Sequence, residues 1–257
     1  MMDFIGTIAD RIAHNHAMML EELPWPPQMR ILVLAPHPDD FDSIAVTLRS
    51  FRERGDEIRL AVLSSSSSGV EDRFCRPPTA AAKAEIRELE QRASCRLFGL
   101  PDEFLVFLHL TEDEAGNPND DEKNYLVVRA HVREARPDLV FLPHRNDPNP
   151  GHRLAFEMLR RIRESDFRFL AALNRDPKTL AMRSDLYTFF GEEDARWKAE
   201  LLRCHQSQHR RNLNTRGYGF DERILRVNRQ SAAELPGKGA YAEVFELWSP
   251  EFNRRTV

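Results

Sequence analysis

Cysteine is scarce, no apolar run is long, and no block of one charge stands out. The three cysteines, Cys75, Cys95 and Cys204, are odd in number, widely spaced and without a C-x-x-C pair. They leave no disulfide framework, and a reducing, cytoplasmic setting is expected. The longest apolar stretches are strand-sized, short of the roughly 20 residues a membrane span requires, so no membrane is expected as partner. The 37 Lys and Arg are interleaved with 41 Asp and Glu, for a formal net charge of −4, which argues against nucleic acid as a principal partner. The amino end through Leu20 is broken by Asp10, Arg11, His14 and Asn15, too polar for a signal peptide. Its apolar positions Ile5, Ile8, Ile12 and Met19 predict an amphipathic helix lying on the domain. No internal repeat and no domain boundary is visible.

What is present is an ordinary globular composition, 41% hydrophobic and 30% charged over 257 residues, enough for one large core. Strand-like and helical segments alternate. Extended runs are expected at Ile31–Pro36, Ile58–Leu63, Phe104–Leu110, Leu139–Pro143, Phe167–Leu173 and Leu186–Phe190. Helices are expected at Ser43–Arg54, Ala80–Phe98, Asn124–Ala135, His152–Glu164 and Glu193–Arg210. The tail from Gly219 to Trp248 reads as short extended pieces, notably Ala242–Leu247. Such alternation predicts an α/β fold, a mostly parallel sheet with helices on both faces. The serines Ser64–Ser68 read as a loop at a strand's carboxyl end rather than a linker.

Two strand ends carry the chemistry. Ile31-Leu32-Val33-Leu34-Ala35 runs into Pro36-His37-Pro38-Asp39-Asp40, and Leu139-Val140-Phe141-Leu142-Pro143 runs into His144-Arg145-Asn146-Asp147-Pro148-Asn149-Pro150-Gly151-His152. In open α/β sheets ligands bind beyond the carboxyl ends of strands. If both ends face one crevice, His37, Asp40 and His152 supply two imidazoles and a carboxylate, the three-ligand pattern of a catalytic zinc with one open position. Asp39 is then free to work on a water. His144 and Asp147 would orient a ligand or the attacking water. The alternative for each residue is ordinary: an Asp capping a helix, or a His in a loop. Arg87 lies in a charged helix, where pairing with Glu90 on the solvent face is routine. His205 and His209 mimic a zincin pair, but Gln206 stands where the catalytic Glu would be. His14, His16, His109 and His131 are expected at the surface, and Cys204 as a buried thiol.

The order Pro36-His37-Pro38-Asp39-Asp40, Arg87-x-x-Glu90, Pro143-His144-x-x-Asp147 leading to His152, then Lys198 with His205-x-Ser207-Gln208, resembles the LmbE-like, or PIG-L-type, zinc deacetylases over about residues 30–210. The resemblance implies one Rossmann-like domain over residues 1–257, with a motif-bearing core of about 30–210 and a C-terminal extension over 211–257. It implies an amidohydrolase acting on non-peptide carbon–nitrogen bonds, removing an N-acetyl or other N-acyl group from a small amino-sugar-like substrate. By the same resemblance His37, Asp40 and His152 hold one Zn²⁺, with Fe²⁺ as the alternative, and Asp39 is the general base. Arg87, His144, Asp147 and Asn149 fall on the substrate side, and His205 near the pocket rim.

Two departures from that family stand out. Phe41 replaces an acidic residue after the paired Asp. Asn149 and Gly151 replace a His and an Asp around the last ligand, and Asn149 can donate a hydrogen bond but carries no proton. Two other readings therefore stay open: a metal- and sugar-binding protein of the same fold without turnover, and a metal-dependent phosphoesterase, for which only Arg73, Arg76 and Arg145 hint at a phosphate cradle. A homo-oligomer is compatible with the sequence.

Overall fold

A computed structural model describes residues 4–14, 17–162, 168–249 and 252. His16 and the segment 163–167, where one expected helix ends and one expected strand begins, lie outside the described residues.

The chain opens with α1 (Phe4–Ala13) and a two-residue strand, β1 (Met18–Met19). Then β2 (Arg30–Ala35), α2 (Ala45–Glu53), β3 (Glu57–Val62), α3 (Ala80–Phe98) and β4 (Leu105–Phe107) follow. Next come α4 (Glu122–Ala135), β5 (Leu139–Pro143), α5 (Pro150–Ile162) and β6 (Leu170–Asn174). The chain continues through β7 (Leu186–Phe190), α6 (Glu192–Cys204), α7 (Gln206–Arg216), α8 (Phe220–Ala232) and β8 (Tyr241–Trp248).

The strands form one eight-stranded sheet in the order β1-β7-β8-β6-β5-β2-β3-β4. Every pairing is parallel except those of β8, which runs antiparallel between β6 and β7. The central strands are aliphatic throughout because both their faces are covered. Ile31, Val33, Ala35 and Phe141 enter one core with α2 and α3, through Phe51 and Phe98. Leu32, Leu34, Val140 and Leu142 enter the other, with Val128 of α4 and Phe156 of α5. Each of these side chains other than Ala35 contributes about 1.5–3 kcal/mol by burial, so neither face can be turned to water.

Local signals explain the clearest boundaries. The Thr79 hydroxyl accepts from the Ala82 amide at 3.2 Å to open α3, and Gly99, at φ 84°, closes it in the left-handed region that glycine enters freely. Three expectations are corrected. The helix expected over Glu193–Arg210 is two helices, broken at His205 (ψ 63°). The tail expected as short extended pieces contains α8 before β8. Cys204 is half-buried, while Cys95 is the buried thiol.

Candidate active site

Strand β2 leads on to β3 and β4 on one side, whereas β5 leads to β6 on the other, so the sheet changes winding direction between β2 and its neighbour β5. The loops leaving adjacent parallel strands at such a point diverge and leave a crevice. A cavity of about 270 Å³ occupies it. Its lining includes His37, Asp39 and Asp40 from the end of β2, Asn149 and His152 from the β5–α5 connection, and Asp176 from beyond β6.

His37, Asp40 and His152 each offer a ligand atom, all within 4.8 Å of one another. His37 Nδ1 lies 3.4 Å from Asp40 Oδ2, and His152 Nε2 lies 3.5 Å from Asp40 Oδ1. The His37 amide also donates to Asp40 Oδ2 at 2.9 Å, which fixes the carboxylate between the rings. On its far side His152 Nδ1 lies 3.3 Å from Asp147 Oδ2. Burial disfavours charge on Asp40, but His152 and His37 outweigh it and hold the carboxyl well below its usual range. Burial likewise works against protonated His152, and Asp40 and Asp147 overcome it, raising the imidazole well above its ordinary value. A buried cluster that stabilises a positive charge in this way, with two nitrogen donors, an oxygen donor and a carboxylate behind one imidazole, fits a divalent metal. Glycine at 151 suits it as well, because a Cβ there would stand 3.0 Å from His37 Nε2.

Asp39 faces the same cavity from a left-handed backbone, φ 106°. Its amide donates to Gln91 Oε1 at 2.9 Å, and its Oδ2 accepts from Arg87 Nη2 at 3.0 Å. Arg87 also donates to the Pro38 carbonyl. The Arg87 side chain is only 1% exposed, which corrects the solvent-face alternative. Its Nε and Nη1 have no hydrogen-bond partner, although Nη1 lies 3.8 Å from Glu90 Oε2. Arg87 therefore lines the cavity and steadies Asp39 at once.

The other sequence candidates separate. Asn149 lines the cavity, but its Oδ1 accepts from the Gly151 amide at 2.9 Å and so caps α5 ahead of Pro150. Asp147 stands behind His152 rather than in the cavity wall, with its Oδ1 accepting from the Asn149 amide at 2.7 Å. His144 is buried against Glu246 of β8 at 3.2 Å and does not line the cavity. His205 is fully buried, 2.6 Å from Asp42 Oδ2, so it does not stand at a pocket rim. Asp42 also accepts from Ser94 and, at 3.4 Å, from Gln91. Phe41 is buried edge-to-face on Phe98. His14 and His109 are exposed and His131 is half-buried.

Sequence reasoning missed three participants. Asp42 and Gln91 form a buried brace behind Asp39. Asp176 joins Asp147 and His152 in a second possible metal group, and burial raises its carboxyl, reinforced by Asp147 and Asp40 although His152 opposes the shift. Its signal was available, since it follows a third apolar strand end.

Fold and site together define a doubly wound α/β protein with a three-donor cluster that could hold a metal, and a further carboxylate, Asp39, beside it at the sheet's switch point. The chain belongs to the PIG-L family, described as GlcNAc-PI de-N-acetylase, whose profile matches residues 32–162, just over half its length. No curated protein matches the chain significantly in sequence. Among solved structures it is similar to the N,N'-diacetylchitobiose deacetylase of Pyrococcus horikoshii, with TM-score 0.68 and 18% identity over 85% of this chain and 83% of that one. A deacetylase of the teicoplanin biosynthesis pathway gives TM-score 0.65 and 15% identity over 86% and 98%. The 4-carboxy-2-hydroxymuconate hydratase of Pseudomonas putida gives TM-score 0.66 and 17% identity over 85% and 96%. At these identities the likeness is one of fold, and that fold carries more than one reaction.

Proposed function

We propose that the protein is a metal-dependent N-deacetylase that removes an N-acetyl or related N-acyl group from a small amino-sugar-like substrate. The observation that carries this reading is the placement of His37, Asp40 and His152 beside an unligated carboxylate, Asp39, on one cavity wall. Membership of the family supports it, as do the deacetylases among the structural neighbours. His37, Asp40 and His152 would hold the metal, and nitrogen and oxygen donors of this kind suit Zn²⁺ first and Fe²⁺ second. Bound there, a divalent ion supplies Lewis acidity and a water with a pKa near 7.

The chain's own groups do the rest. Asp39 Oδ accepts the proton of the attacking water and returns it to the departing amine nitrogen. Arg87 holds that carboxylate toward the cavity, and Gln91 anchors its backbone. Asp147 stands 3.3 Å behind His152 Nδ1, an ion-pair contact on the far side of the ring from Asp40. Asn149, its carbonyl oxygen committed to the helix cap, has only its amide NH₂ left to offer a substrate oxygen. A two-metal phosphoesterase would ask for a second ion, yet the second acidic group shares His152 with the first.

The test is Asp39→Asn. Amine release should fall about 10²- to 10⁴-fold, while metal content by elemental analysis stays at the wild-type level. Near-native turnover in that variant would remove Asp39 from the role of base.

A further inference from the structure

We propose that the outer wall of the cavity is a subsite for an anionic group, a phosphate or carboxylate carried by the substrate. The proposal rests on reading the cavity floor as an N-deacetylase centre, and it assigns a function to α7 and α8, which lie beyond the family-matched residues.

The acids lining the cavity are Asp39, Asp40 and Asp176, all of them in or beside the metal-binding clusters. The cations away from those clusters are Arg211, Arg216 and Arg223, while Lys178 stands beside the second cluster, its amide donating to Asp176 Oδ1 at 3.0 Å. Lys178, Arg211 and Arg216 are exposed and Arg223 is half-buried, which places them toward the mouth. Gln208, Arg211, Asn212 and Thr215 recur at helical spacing, so one face of α7 is turned to the cavity.

These cations lack counter-charges. Helix α7, Gln206–Arg216, contains no Asp or Glu. Among the described residues the Arg211 guanidinium reaches only the Gly69 carbonyl, at 3.3 Å. Among the described residues, the side chains of Lys178, Arg216 and Arg223 have no hydrogen bond and no carboxylate within 4 Å. Some arginines on these helices and their neighbours are paired, Arg203 with Asp221 at 2.6 Å and Arg226 with Glu222 at 2.5 Å, and what sets Arg211, Arg216 and Arg223 apart is that they gather on one cavity lining. In a chain with more acids than bases, composition does not force an unpaired group of cations at one cavity mouth. Guanidinium groups match phosphate and carboxylate oxygens with parallel N–H donors. An acyl group held at the acidic, metal-binding floor leaves the rest of the sugar lying toward this wall, where a negative substituent meets the free cations.

The experiment compares amine release from N-acetylglucosamine, N-acetylglucosamine 6-phosphate and N-acetylmuramic acid by the metal-loaded full chain. One or both anionic substrates should show a kcat/KM at least about tenfold above the neutral sugar, and the two anionic arms separate phosphate from carboxylate. In Arg211→Gln/Arg216→Gln that advantage should shrink to about threefold or less, mostly through KM. Arg210→Gln, on the same helix but away from the cavity, should keep it. Equal kcat/KM for neutral and anionic sugars, or an advantage that survives the double substitution, would overturn the subsite. Absence of amine release from all three substrates would overturn the deacetylase reading instead. Calorimetric titration with glucosamine 6-phosphate then decides the subsite separately: binding weakened about tenfold in the double variant supports it, and unchanged or absent binding in the wild type refutes it.

Discussion

Asp39 occupies a backbone conformation that few residues adopt: φ is 106°, held by Gln91 at the amide and Arg87 at the carboxylate. Strain of this kind persists only where the surroundings over-determine it, and it clusters at functional sites. Behind the neighbouring cluster, Asp147 acts on His152 and not on the cavity. Asp147→Asn should therefore weaken metal binding about 10- to 100-fold with the fold intact, as read by competition with a metal chelator. Unchanged affinity would mean that the 3.3 Å contact orients nothing. At this scale the sequence showed His37, Asp39, Asp40 and His152 clearly, because each follows an apolar strand that stops abruptly. It misplaced His205, whose burial against Asp42 depends on a contact across 163 residues of chain, and nothing near position 205 signals that partner.

Among the elements, the late helices and β8 do more than flank the site. Lys198 of α6, fully buried, donates to the Ser43 carbonyl at 2.5 Å, to Asn228 of α8 at 2.9 Å and to Glu243 of β8 at 2.7 Å. Glu243 in turn accepts from the Val46 and Thr47 amides at 3.1 and 2.8 Å. One buried ion pair thus ties the segment following Asp39 and Asp40 to the end of the chain. Lys198→Met leaves the Glu243 charge buried and should cost about 3–5 kcal/mol of stability. The check is a lowered urea midpoint at unchanged slope, and an unshifted midpoint would contradict it. The same polar interior explains why α8 was not legible. Asp221, Asn228 and Ser231 lie on its buried side, so its apolar stripe is broken. By contrast α3 and β5 match their expected limits, the first because Thr79 and Gly99 punctuate it, the second because all its residues are buried.

For the whole molecule, the strand order brings two distant sequence motifs to one switch point, an arrangement the alternation of elements implied without fixing which strands would be neighbours. Among the described residues no helix is long and apolar enough to cross a membrane. The charge balance of the site would make binding of a metal there pH-dependent with a definite sign. Although burial opposes it, Asp40 and Asp147 raise His152 well above the ordinary imidazole value of 6.5, so the metal-free protein keeps a proton there to higher pH than a free histidine does. That proton contributes stability fully present below the unfolded value and lost as pH rises through the raised folded one. A metal must displace it, so apparent metal affinity should climb as pH rises through the raised value and fall on acidification. Titration with a metal indicator at several pH values reads this directly, and a flat profile would place the metal elsewhere.

N-acyl hydrolysis at the His37–Asp40–His152 cluster is open to direct measurement. Its most direct test is amine release from N-acetylated amino sugars, neutral and anionic, measured on protein whose metal content is determined in the same sample. About one metal per chain is expected, with amine release that disappears on chelation and returns with Zn²⁺. A fully loaded protein that releases amine from none of these sugars, or one that hydrolyses them equally well after His152→Ala, would contradict it.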